Sequence, residues 1–195
     1  MQISDDILGQ ISTEGLLETC LDFPYLIDIM HGNHAQHGFE SLMAKFNGFR
    51  ELFKRPDLTN ALIRKYKKFR EDVEGVRLLD NLEKGRVSFC HYVLEFMLTQ
   101  DIVLKNFNTE QKIKQFYAMS VENKVMIQNY SDIFSNYLHD LPTNLLYAKM
   151  IVNDSDFKFE NPEQEKALLD FVQAPIAIDQ RIIGLVEDYL NVKYK

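Results

Sequence analysis

The sequence predicts an all-α protein of one domain. Apolar residues recur at steps of three and four along most of it, and caps and prolines cut that pattern into roughly nine to eleven helices. Sustained period-two alternation with turn dipeptides is missing, so essentially no sheet is expected. With 46% apolar and 26% charged residues over 195 positions, the chain is rich enough in apolar residues to bury a core without staples.

From the amino terminus, Ser12 stands as an N-cap before "TEGLLETCL", and Phe23-Pro24 ends that helix. The stretch "DIMHGNHAQHGFE" (28–40) reads as a polar connection, interrupted by Gly32, Asn33 and Gly38. "FESLMAKFNGFRELF" carries Phe39, Leu42, Met43, Phe46, Phe49 and Phe53 as one stripe of a single helix. Gly48 inside it costs ~1 kcal/mol relative to Ala, so the close approach of another helix is expected there. After Arg55-Pro56, Leu58, Leu62, Tyr66, Phe69, Val73 and Val76 make a second stripe. "RVSFCHYVLEFMLTQDIVL" is apolar nearly all round and predicts a central, buried helix.

Asn108 is placed to cap "TEQKIKQF", with Gln111 completing a capping box and Ile113, Phe116, Tyr117, Val121 and Val125 following. A break is expected at Leu141-Pro142. Asn161-Pro162-Glu163-Gln164 combines an Asn cap, a Pro at the first helical position and a Gln at the third. It opens a hairpin over 161–195, turned at "QAPIAID", that packs on the main array of about 1–153 or on a partner. Two architectures fit: a multi-helix bundle, or a short α-solenoid-like array of antiparallel helix pairs. No fixed-period repeat is visible, which weighs against a regular array.

The segments "ISTEGLLETCLDFP", "GFESLMAKFNGFRELFKRPDLTNALIRKY", "LTQDIVLKNFN" and "NYSDIFS" with "TNLLYAKMI" carry a likeness over about residues 4–152. There the chain resembles an uncharacterised family of helical domains from Bacteroidales-type bacteria, often found behind an export or lipoprotein signal. The resemblance implies an all-helical fold and export, and it implies no particular reaction. The carboxyl-terminal hairpin lies outside it.

Charge narrows the partners. The net charge of -7 argues against nucleic acid, which is bound through clustered positive charge. Residues 1–30 hold Asp5, Asp6, Glu14, Glu18, Asp22 and Asp28 and no Lys or Arg, whereas 45–70 hold nine Lys or Arg. The two segments could face each other or steer a partner. "RKYKKFR" offers Arg64, Lys65, Lys67, Lys68 and Arg70 either as a solvated helix face or as a docking surface for an acidic segment. Asn47, Glu51 and Arg55, four apart on one predicted helix, read as a structural polar network at a helix crossing.

Metal is the one chemistry the residues raise. His31, His34 and His37 lie three apart, with Asp28 and Glu40 continuing the spacing. Zinc needs three or four ligands converging at ~2.0–2.3 Å. Residues three apart on an α-helix drift by about 60° per step, so this set would wrap round a helix rather than converge. A solvated linker is therefore the first reading; the alternative is a metal-binding protein or metal-dependent enzyme with zinc or another transition metal on Asp28, His31, His34 and His37. No other cofactor is expected: phosphate loops, nucleophile elbows and di-iron Glu-x-x-His motifs are all missing. Cys90 and His91 point about 100° apart on a helix, so they make no nucleophile and base pair. Cys20 and Cys90 read as two reduced core thiols.

No run approaches the ~18 apolar residues of a membrane span, and the acidic start lacks the features of a leader. As written the chain reads as cytoplasmic; with a leader removed it belongs to the cell envelope or is secreted. The function expected is a non-enzymatic interaction or structural module with a protein partner, itself or another.

Overall fold

The computed structural model describes residues 2–30, 35–75, 80–106, 118, 136–175 and 179–193. Among them every regular element is helical, so the protein is all-α as its periodicity predicts. The helices are α1 (Asp5–Gln10), α2 (Thr13–Leu21), α3 (Ala35–Lys45), α4 (Asn47–Leu52), α5 (Leu58–Gly75), α6 (Asn81–Leu98), α7 (Asp101–Leu104), α8 (Asn136–Val152), α9 (Pro162–Gln173) and α10 (Gln180–Lys193). A 3-10 helix, Leu26–Met30, precedes α3. The helix expected after Asn108, with Gln111 and Ile113 to Val125, lies outside the described residues, as does Val76.

Helix α6 is the axis of the molecule. It packs on α5 to one side and on α8 to the other, and α8 in turn carries both α9 and α10. Residues 91–99 are buried without interruption, as their continuous apolar character requires. The Asp80 carboxylate caps α6 by accepting from the Leu82 and Glu83 amides at 2.9 Å. At the other end Lys149 of α8 donates to the Thr99 carbonyl at 2.9 Å, and the same ammonium pairs with Asp101. A cation thus satisfies the negative end of α6 and ties α8 to it.

The amino-terminal half is held by an aromatic cluster. Phe23 stacks on Phe46 at 4.8 Å, and Phe49 meets Phe46 edge-on at 5.8 Å. Phe39 joins Phe49, Phe53 and Phe96 at 6.1, 5.3 and 5.8 Å, linking this cluster to α6. Such pairs contribute about 0.5–1.5 kcal/mol each beyond their area burial.

Four expectations are corrected. The stripe from Phe39 to Phe53 is two helices, because Phe46 between α3 and α4 is extended (φ -133, ψ 114). Its ring folds back over Gly48, where an added Cβ would meet ring atoms at 2.5 and 2.6 Å. The glycine admits the Phe46 ring, not another helix. Gly38 does not interrupt a loop; it lies buried in the first turns of α3. An added Cβ there would sit 2.1 Å from the Ile29 carbonyl oxygen, so the glycine lets the 3-10 segment lie directly on α3. Finally, α8 runs through Pro142 rather than breaking at it. Residues 142–148 are all buried, and packing on α6 outweighs the missing amide and the ring's clash with the preceding turn.

Two of the caps predicted from sequence are present; the one at Asn108 lies outside the described residues. Ser12 accepts from the Gly15 amide at 3.1 Å. Asn161 accepts from the Gln164 amide at 2.9 Å, while the Gln164 side chain reaches back one residue further than a standard capping box, to the Glu160 amide.

Gly38→Ala tests the close approach on α3. In an open helix the change would gain about 1 kcal/mol. Against the Ile29 backbone it should instead lose about 1–3 kcal/mol, as overpacked sites do. The readout is a lower urea midpoint at unchanged slope; a raised midpoint would contradict the packing.

Candidate functional site

Of Asn47, Glu51 and Arg55, Asn47 and Arg55 dock the amino-terminal segment, and Glu51 lies beside Lys54 and Arg55. The Asn47 amide pairs with both backbone groups of Ile3, accepting from its N–H at 2.9 Å and donating to its carbonyl at 2.7 Å. Arg55 donates to the Leu8 carbonyl at 2.6 Å, and the Thr13 hydroxyl donates to Asp57 at 2.6 Å. Arg55 lies in the turn beyond α4 rather than on the same helix as Asn47, since α4 ends at Leu52. Its Nε is 3.3 Å from the Glu51 carboxylate, off the hydrogen-bond direction.

The basic helix α5 faces the acidic front of the chain. Arg64 pairs with Glu14, and Lys65 with Glu18 at 3.1 Å; Arg86 on α6 reaches Asp22 at 3.5 Å. Lys67 and Lys68 are exposed, and Arg70 lies further along α5. A backbone hydrogen bond and the Arg64 guanidinium hold the Glu14 carboxyl below its ordinary range. These pairs are solvent-exposed and so align helices rather than supply much stability. Cys20 and Cys90 are free, and burial pushes both thiols up; the Cys90 thiol donates to the Leu21 carbonyl at 3.6 Å. High thiol pKa values make both poor nucleophiles.

Of the histidine set, His31 and His34 lie outside the described residues. His37 is exposed on α3. Asp28, on the 3-10 segment, forms an ion pair with Lys45 at 2.6 Å. One of the four candidate ligands thus already has a cation.

Sequence reading missed a buried polar cluster where α5, α6 and α8 meet. The Tyr66 hydroxyl donates to Glu95 Oε1 at 2.8 Å, and the Thr143 hydroxyl donates to the same oxygen at 3.3 Å. His91 Nδ1 lies 3.9 Å from it, and the His91 and Tyr66 rings are 4.8 Å apart. All four residues are buried. A buried carboxylate is stable only where donors reach it, and here two hydroxyls from different helices do so.

Among the described residues, open relief lies at the carboxyl-terminal end. A groove of ≈ 390 Å³ runs between the 154–160 segment and α10, lined by apolar Leu185, Tyr189 and Val192 and by both acidic (Asp156, Glu160, Asp188) and basic (Lys158, Lys193) side chains. It continues between α9 and α10 past Gln164 toward Glu163 and Gly184. Phe157 meets Phe159 at 5.0 Å and Tyr189 at 5.5 Å, both edge-on. Asp154 anchors this wall. Partial burial raises its carboxyl, but hydrogen bonds from Lys193, the Asp156 amide and Tyr189 outweigh that and hold it below the ordinary aspartate range. Comparison with family models, with curated proteins and with solved structures finds no match to this chain.

Two sequence signals for the groove existed. One was the mixed "DSDFKFE" segment; the other was the spacing of Leu185, Tyr189 and Val192 at i, i+4 and i+7. The buried cluster left half a signal: His91 and Glu95 stand four apart inside the apolar run, but Tyr66 and Thr143 come from distant positions.

Asp154 makes a pH prediction. Its folded pKa is depressed, so its contribution is present above the unfolded value of about 3.9 and is lost as pH falls through the folded value. Asp154→Asn should therefore lower the melting temperature at pH 7 and progressively less below about pH 4. A difference between the two proteins that stays constant from pH 7 to pH 2.5 would contradict the assignment.

Proposed function

We propose that the protein is a non-enzymatic helical interaction module of the cell envelope. It docks an amphipathic, basic helix of a partner protein in the groove along α10. What supports this reading is the groove itself. Its apolar positions Leu185, Tyr189 and Val192 are spaced over about two helical turns; Tyr189 is buried as the floor, and Val192 is 89% exposed. Asp156, Glu160 and Asp188 line it together with Lys158 and with Lys193, whose ammonium is already paired with Asp154, so the acidic groups prevail and a ligand helix with apolar anchors and a Lys or Arg edge is complementary to it. The envelope location rests on the family resemblance; no helix among the described residues is long and apolar enough to cross a membrane. The metal reading through Asp28, His31, His34 and His37 has less support, because binding there must first displace Lys45 from Asp28.

The test uses two designed helical peptides, one of Leu and Lys, one of Leu and Glu, followed by fluorescence anisotropy. The Leu/Lys peptide should bind saturably and the Leu/Glu peptide should not. Glu160→Lys with Asp188→Lys should weaken binding by about tenfold or more, the scale of close charge pairs. Asp5→Lys with Asp6→Lys, an equally exposed acidic pair elsewhere, should leave it unchanged. Equal weakening by both reversals, or no saturable binding, would remove the groove as the docking site.

A further inference from the structure

We infer that the edge formed by α4 and the turn after it is a peptide-backbone-binding site, and that two copies of this chain associate by exchanging residues 2–11 across it. Side chains hold this segment through its main chain. The Asn47 side chain reads both the N–H and the carbonyl of Ile3, as a neighbouring strand would, and Arg55 reads the Leu8 carbonyl. All three bonds go to main chain, so they specify an extended-then-helical course rather than a set of side chains. Apolar anchoring is slight: Leu8 is buried, Ile3 and Ile11 are partly buried, and Ile7 is 53% exposed.

The segment also has little stability of its own. Helix α1 has six residues, and Ser4 supplies no side-chain cap. A helix that short does not persist without its dock, and sparse packing of this kind opens at low free energy. Its tether to α2 is two extended residues, Ile11 and Ser12. A short extended hinge lets the segment leave one copy and enter the same site on another. The exchange is reciprocal: each hydrogen bond broken within a copy re-forms between copies, and the product is a closed two-fold dimer. This inference does not rest on the groove along α10.

Two full-length variants separate donor from acceptor. Ile3→Asp with Leu8→Asp cannot donate its segment but keeps the dock. Asn47→Ala keeps the segment but removes two hydrogen bonds from its own dock, within a copy and between copies alike, so its segment should prefer the intact dock of the Ile3/Leu8 variant by about tenfold or more. Size-exclusion chromatography with light scattering should show a concentration-dependent dimer for the unmodified chain and a monomer for the Ile3/Leu8 variant alone. Mixed together, the two variants should form a one-to-one complex. A dimer that persists in the Ile3/Leu8 variant alone, or a mixture without the one-to-one complex, overturns the proposal. If the Ile3/Leu8 variant does not fold, a synthetic peptide of residues 2–11 is added to the unmodified chain. It should displace the resident segment and speed amide exchange at Ile3; unchanged exchange at saturating peptide also overturns it.

Discussion

The fold turns on one carboxylate. Glu95 sits on the buried stretch of α6, where an ionisable group without donors is strongly destabilising. Tyr66 from α5 and Thr143 from α8 both bring hydroxyls to its Oε1. The three helices that build the middle of the molecule therefore meet at one acceptor, and a slip of either neighbour along α6 strands it. Apolar packing alone would tolerate such slips, since any Leu can replace another against a Leu-lined groove. The polar contact favours one register over the rest.

Around this centre the remaining elements attach in order of decreasing grip. The aromatic cluster from Phe23 to Phe96 fastens α3 and α4 to the axis. Lys149 closes the end of α6 and fixes α8 across it. Both helices of the carboxyl-terminal hairpin then lie on α8. At the periphery the interactions become charged or main-chain directed: the Glu14–Arg64 and Glu18–Lys65 pairs, and the Asn47 clasp on Ile3. Weak, polar, exposed interactions are where a helical module has freedom to rearrange and engage other chains.

How much of this was legible in the sequence depended on whether the deciding contact was local. Ser12 and Asn161 could be read as caps because the bond each makes spans three residues. The buried axis could be read because a long apolar run with no polar face has to be covered on all sides. Phe46 and Gly48 could not, because whether a stripe bends depends on where an aromatic ring finds its pocket, here against Phe23. Pro142 misled for the opposite reason: its local rule is sound, but tertiary burial overrode it. The role of Gly38 required knowing that Ile29 would lie on it. The Asn47 and Arg55 side chains were recognised as polar features near an apolar face, yet their partners, Ile3 and Leu8, lie more than forty residues away. The Glu95 cluster is the extreme case, since Tyr66 and Thr143 each look like ordinary stripe or loop residues until three helices converge.

The most direct test of the Glu95 account is a double-mutant cycle measured by urea unfolding. Tyr66→Phe keeps the ring and removes the hydroxyl that donates to Glu95. It should lose about 1–3 kcal/mol, the range for depriving a buried polar group of a partner. Glu95→Leu also deprives the Thr143 hydroxyl of its acceptor, but in that background Tyr66→Phe should cost much less than it does alone. A Tyr66→Phe protein as stable as the unmodified chain, or a double variant whose losses simply add, would contradict the account.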